Sequence, residues 1–361
     1  MALSLPAYCT REDVKLAPDF AETARGNSRI DRAIDGVSRL IEGELHRVFY
    51  PQDATRYFDW PNQGGSGGGQ YANPWRLWLD QNDLVSLSSL VTGGVTISTA
   101  NVFLEPINKR PGEPYRYLEL DRSSSAAFGG NAATPQRAIA VTGTWGFTAD
   151  TDAAGTLAAA VASTSATTVT VSDGSQLGVG DLLIVDSERL LVTERAAVTT
   201  GQTNLSGATS ASAADNAITV TDGTQVHLGE VLLIDSERLL IEDITGNVVT
   251  VRRAWDGTLL ATHTTATTLY AYRLLTVARG QLGTTAATHS NSAPVSRHRP
   301  PGLIRDLCIA ESVNRVLQET SGYARTVGEG GEARPAPGVA LADLWDEAVT
   351  RYGRKARIRA V

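Results

Sequence analysis

Cysteine is nearly absent from this 361-residue chain, Cys9 and Cys308 being the only two. That excludes a disulfide-knit secreted scaffold, since a single possible bridge is a weak framework for a chain of this length. Two reduced thiols fit a cytosolic assembly site at least as well, so no oxidising compartment is implied. A basic excess is also missing: 39 acidic and 32 basic side chains leave a formal charge of -7. The totals therefore show no broad cationic surface for gripping nucleic acid. No apolar run approaches the ~20 residues that span a bilayer, and residues 1–6 lack the charged and long apolar parts of a secretory signal. The expectation is a soluble protein with no membrane contact, made and held in the cytoplasm until it joins something larger. Histidine is scarce, at His46, His227, His263, His289 and His298, and no Cys or paired His stands beside any of them at ligand spacing. No Ser lies in a Gly-x-Ser-x-Gly elbow, and neither Cys has the surroundings of a thiol nucleophile. The sequence thus predicts no catalytic, cofactor-binding or metal residues.

What is present begins with helices. Thr10-Arg11-Glu12-Asp13 reads as a helix start, its hydroxyl accepting from first-turn N–H groups while the acids face the positive end of the dipole. From Ser28, the residues Ile30, Ala33, Ile34, Val37, Leu40, Ile41, Leu45 and Val48 recur at steps of three and four, one stripe of a helix of about five turns that Tyr50-Pro51 would end. Gly36 and Gly43 interrupt it, each costing ~1 kcal/mol relative to Ala. Either a neighbouring backbone approaches closely there or the helix is marginal alone.

Between residues 55 and 147 the period changes to two. Arg56–Trp60, Arg76–Asp80, Val95–Ile97, Phe103–Pro106, Tyr115–Leu120 and Ala138–Thr142 are short runs parted by Gly, Pro, Asn and Asp, predicting an antiparallel β region. The run Gly64-Gly65-Ser66-Gly67-Gly68-Gly69 lacks the Lys-Ser/Thr of a phosphate loop and any strand-to-helix setting, so it reads as a flexible loop.

Residues 150–297 hold 15 acids and 8 basic side chains, the whole of the chain's net charge. They also repeat. The phrase from Thr170 to Val192 returns 49 residues later from Thr219 to Ile241, and that from Val249 to His263 returns 26 residues later from Leu275 to His289. Duplicated units rich in Val, Ile and Thr and punctuated by Asp-Gly predict small β-barrels or sandwiches that bury their faces against one another. The repeated Asp186-Ser187-Glu188-Arg189 and Asp235-Ser236-Glu237-Arg238 offer paired carboxylates, yet a tight turn followed by a strand accounts for both copies better than acid–base chemistry. Asp173-Gly174 and Asp222-Gly223 read as turns, and His263 and His289 as strand caps or packing against Thr.

Helices resume at Pro301, with Leu303, Ile304, Leu307, Cys308, Ala310, Val313, Val316 and Leu317 on one stripe. A second carries Leu341, Leu344, Trp345, Ala348, Val349 and Tyr352. The last eleven residues hold Arg351, Arg354, Lys355, Arg357 and Arg359 and no acid. This basic tail has two readings, a terminus that complements a helix dipole or an Arg-rich peptide that slots into a groove on a partner. The second is preferred. The fold expected from all this is α+β: a small helical bundle built from both chain ends with an antiparallel β region, plus an inserted all-β repeat domain. Its segments are 1–149, 150–297 and 298–361, with the repeats as an accessory.

The order of phrases resembles the head-to-tail adaptor (connector) proteins of tailed bacteriophages. The marks are the first long helix leading to Phe49-Tyr50, the strand Thr55-Arg56-Tyr57-Phe58, Phe103-Leu104-Glu105-Pro106, Pro114-Tyr115-Arg116, Val141-Thr142-Gly143-Thr144-Trp145-Gly146-Phe147, and two closing helices before a basic tail. They cover about 210 residues; residues 150–297 fall outside the minimal family plan. The resemblance implies a non-enzymatic virion protein of the neck, assembled in the host cytoplasm into a homo-oligomeric ring, a dodecamer, beneath the portal protein. Genomic DNA would pass through its lumen without sequence-specific binding, and a tail-side stopper or tail terminator would follow. It also implies portal docking by Tyr352, Arg354, Lys355, Arg357 and Arg359. The rival reading is a surface, receptor-binding or glycan-binding virion protein whose repeats do the binding. Trp255, Tyr270 and Tyr272, the aromatic residues of 150–297, are few for stacking on sugars.

Overall fold

A computed structural model describes residues 3–17, 26–61, 75–129, 134–204, 209–320, 326–327, 334–335 and 339–354. It mixes α-helices with antiparallel sheets. Among the described residues the helices are α1 (Arg11–Leu16), α2 (Asn27–Leu45), α3 (Gly302–Thr320) and α4 (Val339–Tyr352). The chain divides into two compact units, one of residues 1–40 and 151–348, the other of 41–150 and 349–361. This differs from the three segments expected from chain order, because helical residues from both ends fall in the same unit as the repeats. The glycine run 64–69 lies outside the described residues.

Helix α2 buries the expected stripe, with Ile30, Ile34, Val37, Ile41 and Leu45 fully enclosed. It stops at Leu45, short of Tyr50-Pro51, because His46 turns left-handed (φ +52°) and leaves Val48 exposed. No neighbouring backbone crowds its glycines: a Cβ at Gly43 would meet nothing within 4 Å, and one at Gly36 only the Arg315 guanidinium at 3.4 Å.

The unit of residues 41–150 and 349–361 holds β1 (Gln52–Phe58), β2 (Arg76–Trp78), β3 (Leu84–Thr92), β4 (Val95–Ile97), β5 (Val102–Glu105), β6 (Tyr117–Leu120) and β7 (Ile139–Trp145). These form two antiparallel sheets, ordered β1-β7-β3-β4 and β2-β6-β5. They share one apolar core centred on Leu84, Leu90, Leu118, Ile139 and the fully buried Trp145. Trp145 keeps its indole N–H satisfied by donating to the Ala54 carbonyl at 2.8 Å, as a buried indole requires. Gly146 then turns at φ +132°, where a side chain would strike the Tyr50 carbonyl. The turn lets Phe147 donate to the Val48 carbonyl at 2.8 Å.

In the other unit, the strands between residues 151 and 298 are β8 (Thr151–Thr156), β9 (Thr168–Thr170), β10 (Leu182–Val185), β11 (Glu188–Thr203), β12 (Ala217–Thr219), β13 (Val231–Ile234), β14 (Glu237–Thr245), β15 (Val248–Arg252), β16 (Thr268–Ala278) and β17 (Pro294–His298). One continuous sheet runs β12-β15-β14-β13-β16-β11-β10-β17-β8, with β9 also paired to β16. Yet it encloses two separate cores. One gathers Val169, Val171, Leu183, Leu190, Val192, Leu275, Val277 and Val295; the other gathers Ile218, Val220, Leu232, Leu239, Ile241, Val249, Val251 and Leu269. The two copies are therefore nested rather than tandem. The first is split, and its long strands β11 and β16, paired antiparallel through three register shifts, carry the chain out to the second copy and back.

Helix α1 is seated against these repeats as well as against α3. Its start is a capping box between Thr10 and Asp13. Arg11 forks onto Asp31 at 2.7 and 2.8 Å and reaches Glu194 of β11 at 2.7 Å. Lys15 pairs with Asp256 of the second copy at 2.6 Å, and the Glu12 carboxylate accepts from the Val179 N–H at 2.8 Å. From α3, Arg305 bonds Asp13 at 2.7 Å. The repeats are thus not a detached accessory, since α1 residues are buried against them.

Candidate functional site

One constellation of ionisable groups is built twice by the repeats. In each copy an Asp-Ser pair makes a two-residue hairpin turn, with Asp186 at φ +53° and Asp235 at φ +51°. That conformation suits a short polar side chain and matches the twist of the flanking strands. The next residue, Glu188 or Glu237, opens a strand and points inward, at most 1% exposed.

Around Glu237, Arg253 donates from Nε and Nη2, both at 2.7 Å, the backbone N–H groups of Ala254 and Ala261 at 2.9 and 3.0 Å, and His263 approaches through Nε2 at 2.9 Å. Around Glu188, Arg279 donates twice at 2.7 Å, Gly280 and Ala287 N–H at 2.9 Å, and His289 Nε2 lies at 2.9 Å. The other ring nitrogens face the turn aspartates, His263 Nδ1 to Asp235 at 2.9 Å and His289 Nδ1 to Asp186 at 2.7 Å. The arginines also tie the loops they leave, Arg253 donating to the carbonyls of Ser210, Asp215 and Ala261. Arg279 does likewise with Ser163, Ala166 and Ala287.

Burial alone would raise both glutamates. The arginine forks, the backbone N–H groups and the histidines outweigh it and hold each at about 2. A carboxylate in that state has no proton to give near neutrality, and its lone pairs are filled. The chemistry of each cluster is that of a brace: it closes the loop between Arg and His and pins it to the preceding hairpin. Sequence spacing identified the Asp-Ser turns but not the histidines' partners. His263 and His289 do not merely cap strands or pack on Thr; each is sandwiched between two carboxylates supplied from the hairpin. A repeated Glu, Arg and His in matched phrases was the available signal. Among the described residues, no group of three or more His, Cys, Asp and Glu side chains is arranged to hold a metal ion.

A glycine in each copy is required by close approach. A Cβ at Gly223 would collide with the Gly246 carbonyl, and one at Gly174 with that of Tyr272. The neighbouring Asp222 and Asp173 accept from Thr224 and Ser175 N–H at 3.0 and 2.7 Å, so both Asp-Gly pairs are turns.

A cleft of about 190 Å³ opens where α1 meets the repeats, lined by Lys15, Arg195, Arg238, Trp255, Asp256 and Tyr272 among others. Its charges are matched internally: Arg238 pairs with Asp256 and lies over the Tyr272 ring, and Arg195 donates to the carbonyls of Gly174 and Tyr272 at 2.7 and 2.8 Å.

Of the residues expected to dock onto a portal, Tyr352 and Arg354 are described. Tyr352 is buried with its ring edge-on to Phe49 and Phe147, at centroid separations of 5.7 and 5.3 Å. Arg354 pairs with Asp83 at 2.7 Å and donates to the carbonyls of His46 and Asp80 at 2.9 and 3.1 Å. Both side chains are thus engaged within the chain. Lys355, Arg357 and Arg359 lie outside the described residues. No helix among those described is long and apolar enough to cross a membrane. Compared with known proteins, the chain matches no family model, no curated protein and no solved structure.

Proposed function

We propose that this chain is a structural protein of the phage neck, a head-to-tail adaptor that forms a homo-oligomeric ring beneath the portal and joins it to the tail around the DNA channel. The observation that carries the reading is the meeting of elements distant in sequence. Cys308 of α3 lies beside Cys9 and Ser38, Arg305 of α3 holds Asp13, and Arg32 of α2 holds Glu319 of α3 at 2.8 Å. A helical bundle drawn from both chain ends needs contacts of this kind. Tyr352 likewise brings the close of α4 onto Phe49 and Phe147, the latter ending the strand-and-turn phrase that begins at Val141.

The electrostatics suit passage of DNA. Each cationic phosphate contact would add affinity and slow sliding, whereas this chain carries a net -7, confined to residues 150–297. With Tyr352 and Arg354 engaged internally, the portal-binding role passes to Lys355, Arg357 and Arg359. In this reading the repeats brace neighbouring subunits or decorate the neck. The Glu–Arg–His clusters support it, because they stiffen loops and leave Glu188 and Glu237 fully engaged.

The test is charge reversal of the tail. The full chain and its K355E/R357E/R359E variant are each mixed with portal protein and sedimented. The reading expects the parent to co-sediment and the variant to lose portal binding at least tenfold while keeping its fold. Equal binding by both, or by neither, contradicts it.

A further inference from the structure

Cys9 and Cys308 are 299 positions apart in sequence, yet their sulfurs lie 3.0 Å apart, with the Cys9 thiol donating to Cys308. Both are free and buried, 3% and 0% exposed. Cys9 sits in the extended segment ahead of α1, and Cys308 faces it from the second turn of α3. The segment is fixed by Ala7 N–H to the Gly180 carbonyl at 3.1 Å, Tyr8 N–H to Ser38 Oγ at 3.0 Å and Arg39 to the Pro6 carbonyl at 2.6 Å. The Cys308 sulfur has Ser38 Oγ at 3.6 Å besides Cys9. Two hydrogen-bonded thiols this close, on different elements, need little motion to bond.

We infer that Cys9 and Cys308 form a redox-controlled staple: reduced in the cytoplasm, and closed to an intramolecular disulfide when the protein meets a small-molecule disulfide such as oxidised glutathione. The chemistry balances in two exchanges. The Cys9 thiolate, exposed by local opening of the segment before α1, attacks one sulfur of oxidised glutathione; a Cys9–glutathione mixed disulfide forms and one glutathione thiolate leaves. The Cys308 thiolate then attacks the Cys9 sulfur and expels the second glutathione thiolate. Both electrons end on glutathione, and the two thiol protons end on its two thiolates. Burial raises the Cys9 thiol, so the first exchange is the slow one.

The staple fastens the segment before α1 to α3 and closes a loop that contains the β region and both repeats. Constraint of so long a loop in the unfolded chain stabilises the folded one. This inference does not depend on the adaptor reading, since the geometry and the oxidant are the same whatever the protein assembles with.

The experiment uses the full chain. Purified reduced protein is incubated with oxidised glutathione, quenched with acid, and weighed intact and after non-reducing proteolysis. The expected result is a mass lower by about 2 Da, a linked Cys9–Cys308 peptide pair, and a thermal midpoint raised by about 4–8 °C that dithiothreitol reverses. Cys308→Ser should instead retain one glutathione, about 305 Da heavier, on Cys9. Free thiols after prolonged oxidation, stable glutathione adducts on both cysteines of the parent, or bridges between chains in place of the internal pair would each overturn the proposal. Peptide linkage in the parent keeps the test decisive should Cys308→Ser fail to fold.

Discussion

Replacing Glu237 by Gln removes half of a carboxylate on which five donors converge. One oxygen serves Arg253 Nε and the Ala254 N–H; the other serves Arg253 Nη2, the Ala261 N–H and His263 Nε2. Whichever way the amide turns, its NH2 faces at least two donors, and the fully enclosed Arg253 guanidinium loses its counter-charge. Each unsatisfied buried donor costs about 1–3 kcal/mol, and breaking a buried pair by removing one partner typically costs about 3–5 kcal/mol. The expected loss is therefore about 4 kcal/mol. It should be local, because the second copy has its own core and joins the first through β11 and β16. Native-state hydrogen exchange reads this directly. In the Glu237→Gln protein the Ala254 and Ala261 amides should lose protection by two to three orders of magnitude, while Gly280 and Ala287 of the sister cluster keep theirs. A loss below about 1 kcal/mol at Ala254 and Ala261 would mean the brace carries no weight. Equal losses in both clusters would mean the copies open together, refuting the nested arrangement as two separable cores.

Acid should dissolve both braces late. With Glu188 and Glu237 held at about 2, below the ordinary 4.5, each stabilises the fold fully above the ordinary value, and that contribution fades as pH falls through the shifted one. Each is worth about 3 kcal/mol, so exchange protection at Ala254, Ala261, Gly280 and Ala287 should decline between pH 4.5 and 2; loss complete by pH 5 would contradict it. Asp181 behaves oppositely. Removal from water raises it to about 7, against the pull of Arg297 and the Gly178 N–H. The folded state then holds its proton more tightly than the unfolded one, and stability falls as pH rises from about 4 to 7. Asp181→Asn, which keeps an acceptor for Gly178, should flatten that fall in urea titrations; an unchanged pH profile would sink the assignment. Tyr352→Ala removes a ring set edge-on against Phe49 and Phe147, and should cost about 3–5 kcal/mol by urea unfolding. A cost under 1 kcal/mol would show that the close of α4 is not anchored there.

Much of the fold was legible because its signals are local. The Thr10 cap, the α2 stripe and the Asp-Ser and Asp-Gly turns follow from periodicity and turn chemistry, and each is present. Strand β3, Leu84–Thr92, escaped notice because Ser86, Ser88 and Ser89 dilute its apolar alternation, yet it pairs with both β4 and β7. The end of α2 was misplaced because nothing local marks His46 for a left-handed turn. The duplication was plain, but its nesting was not: it depends on which Arg reaches which Glu, Arg279 to Glu188 and Arg253 to Glu237. The order of the phrases contained that answer, since both opening phrases precede both closing ones. The seating of α1 on the repeats, through Arg11 to Glu194 and Lys15 to Asp256, spans more than 180 residues and leaves no periodic trace.

The adaptor assignment meets its most direct test in the native mass of the intact chain, measured alone and again after mixing with portal protein. The account predicts a ring of many copies seated on the portal, twelve by the family plan. Chains that stay single in the portal's presence would contradict it.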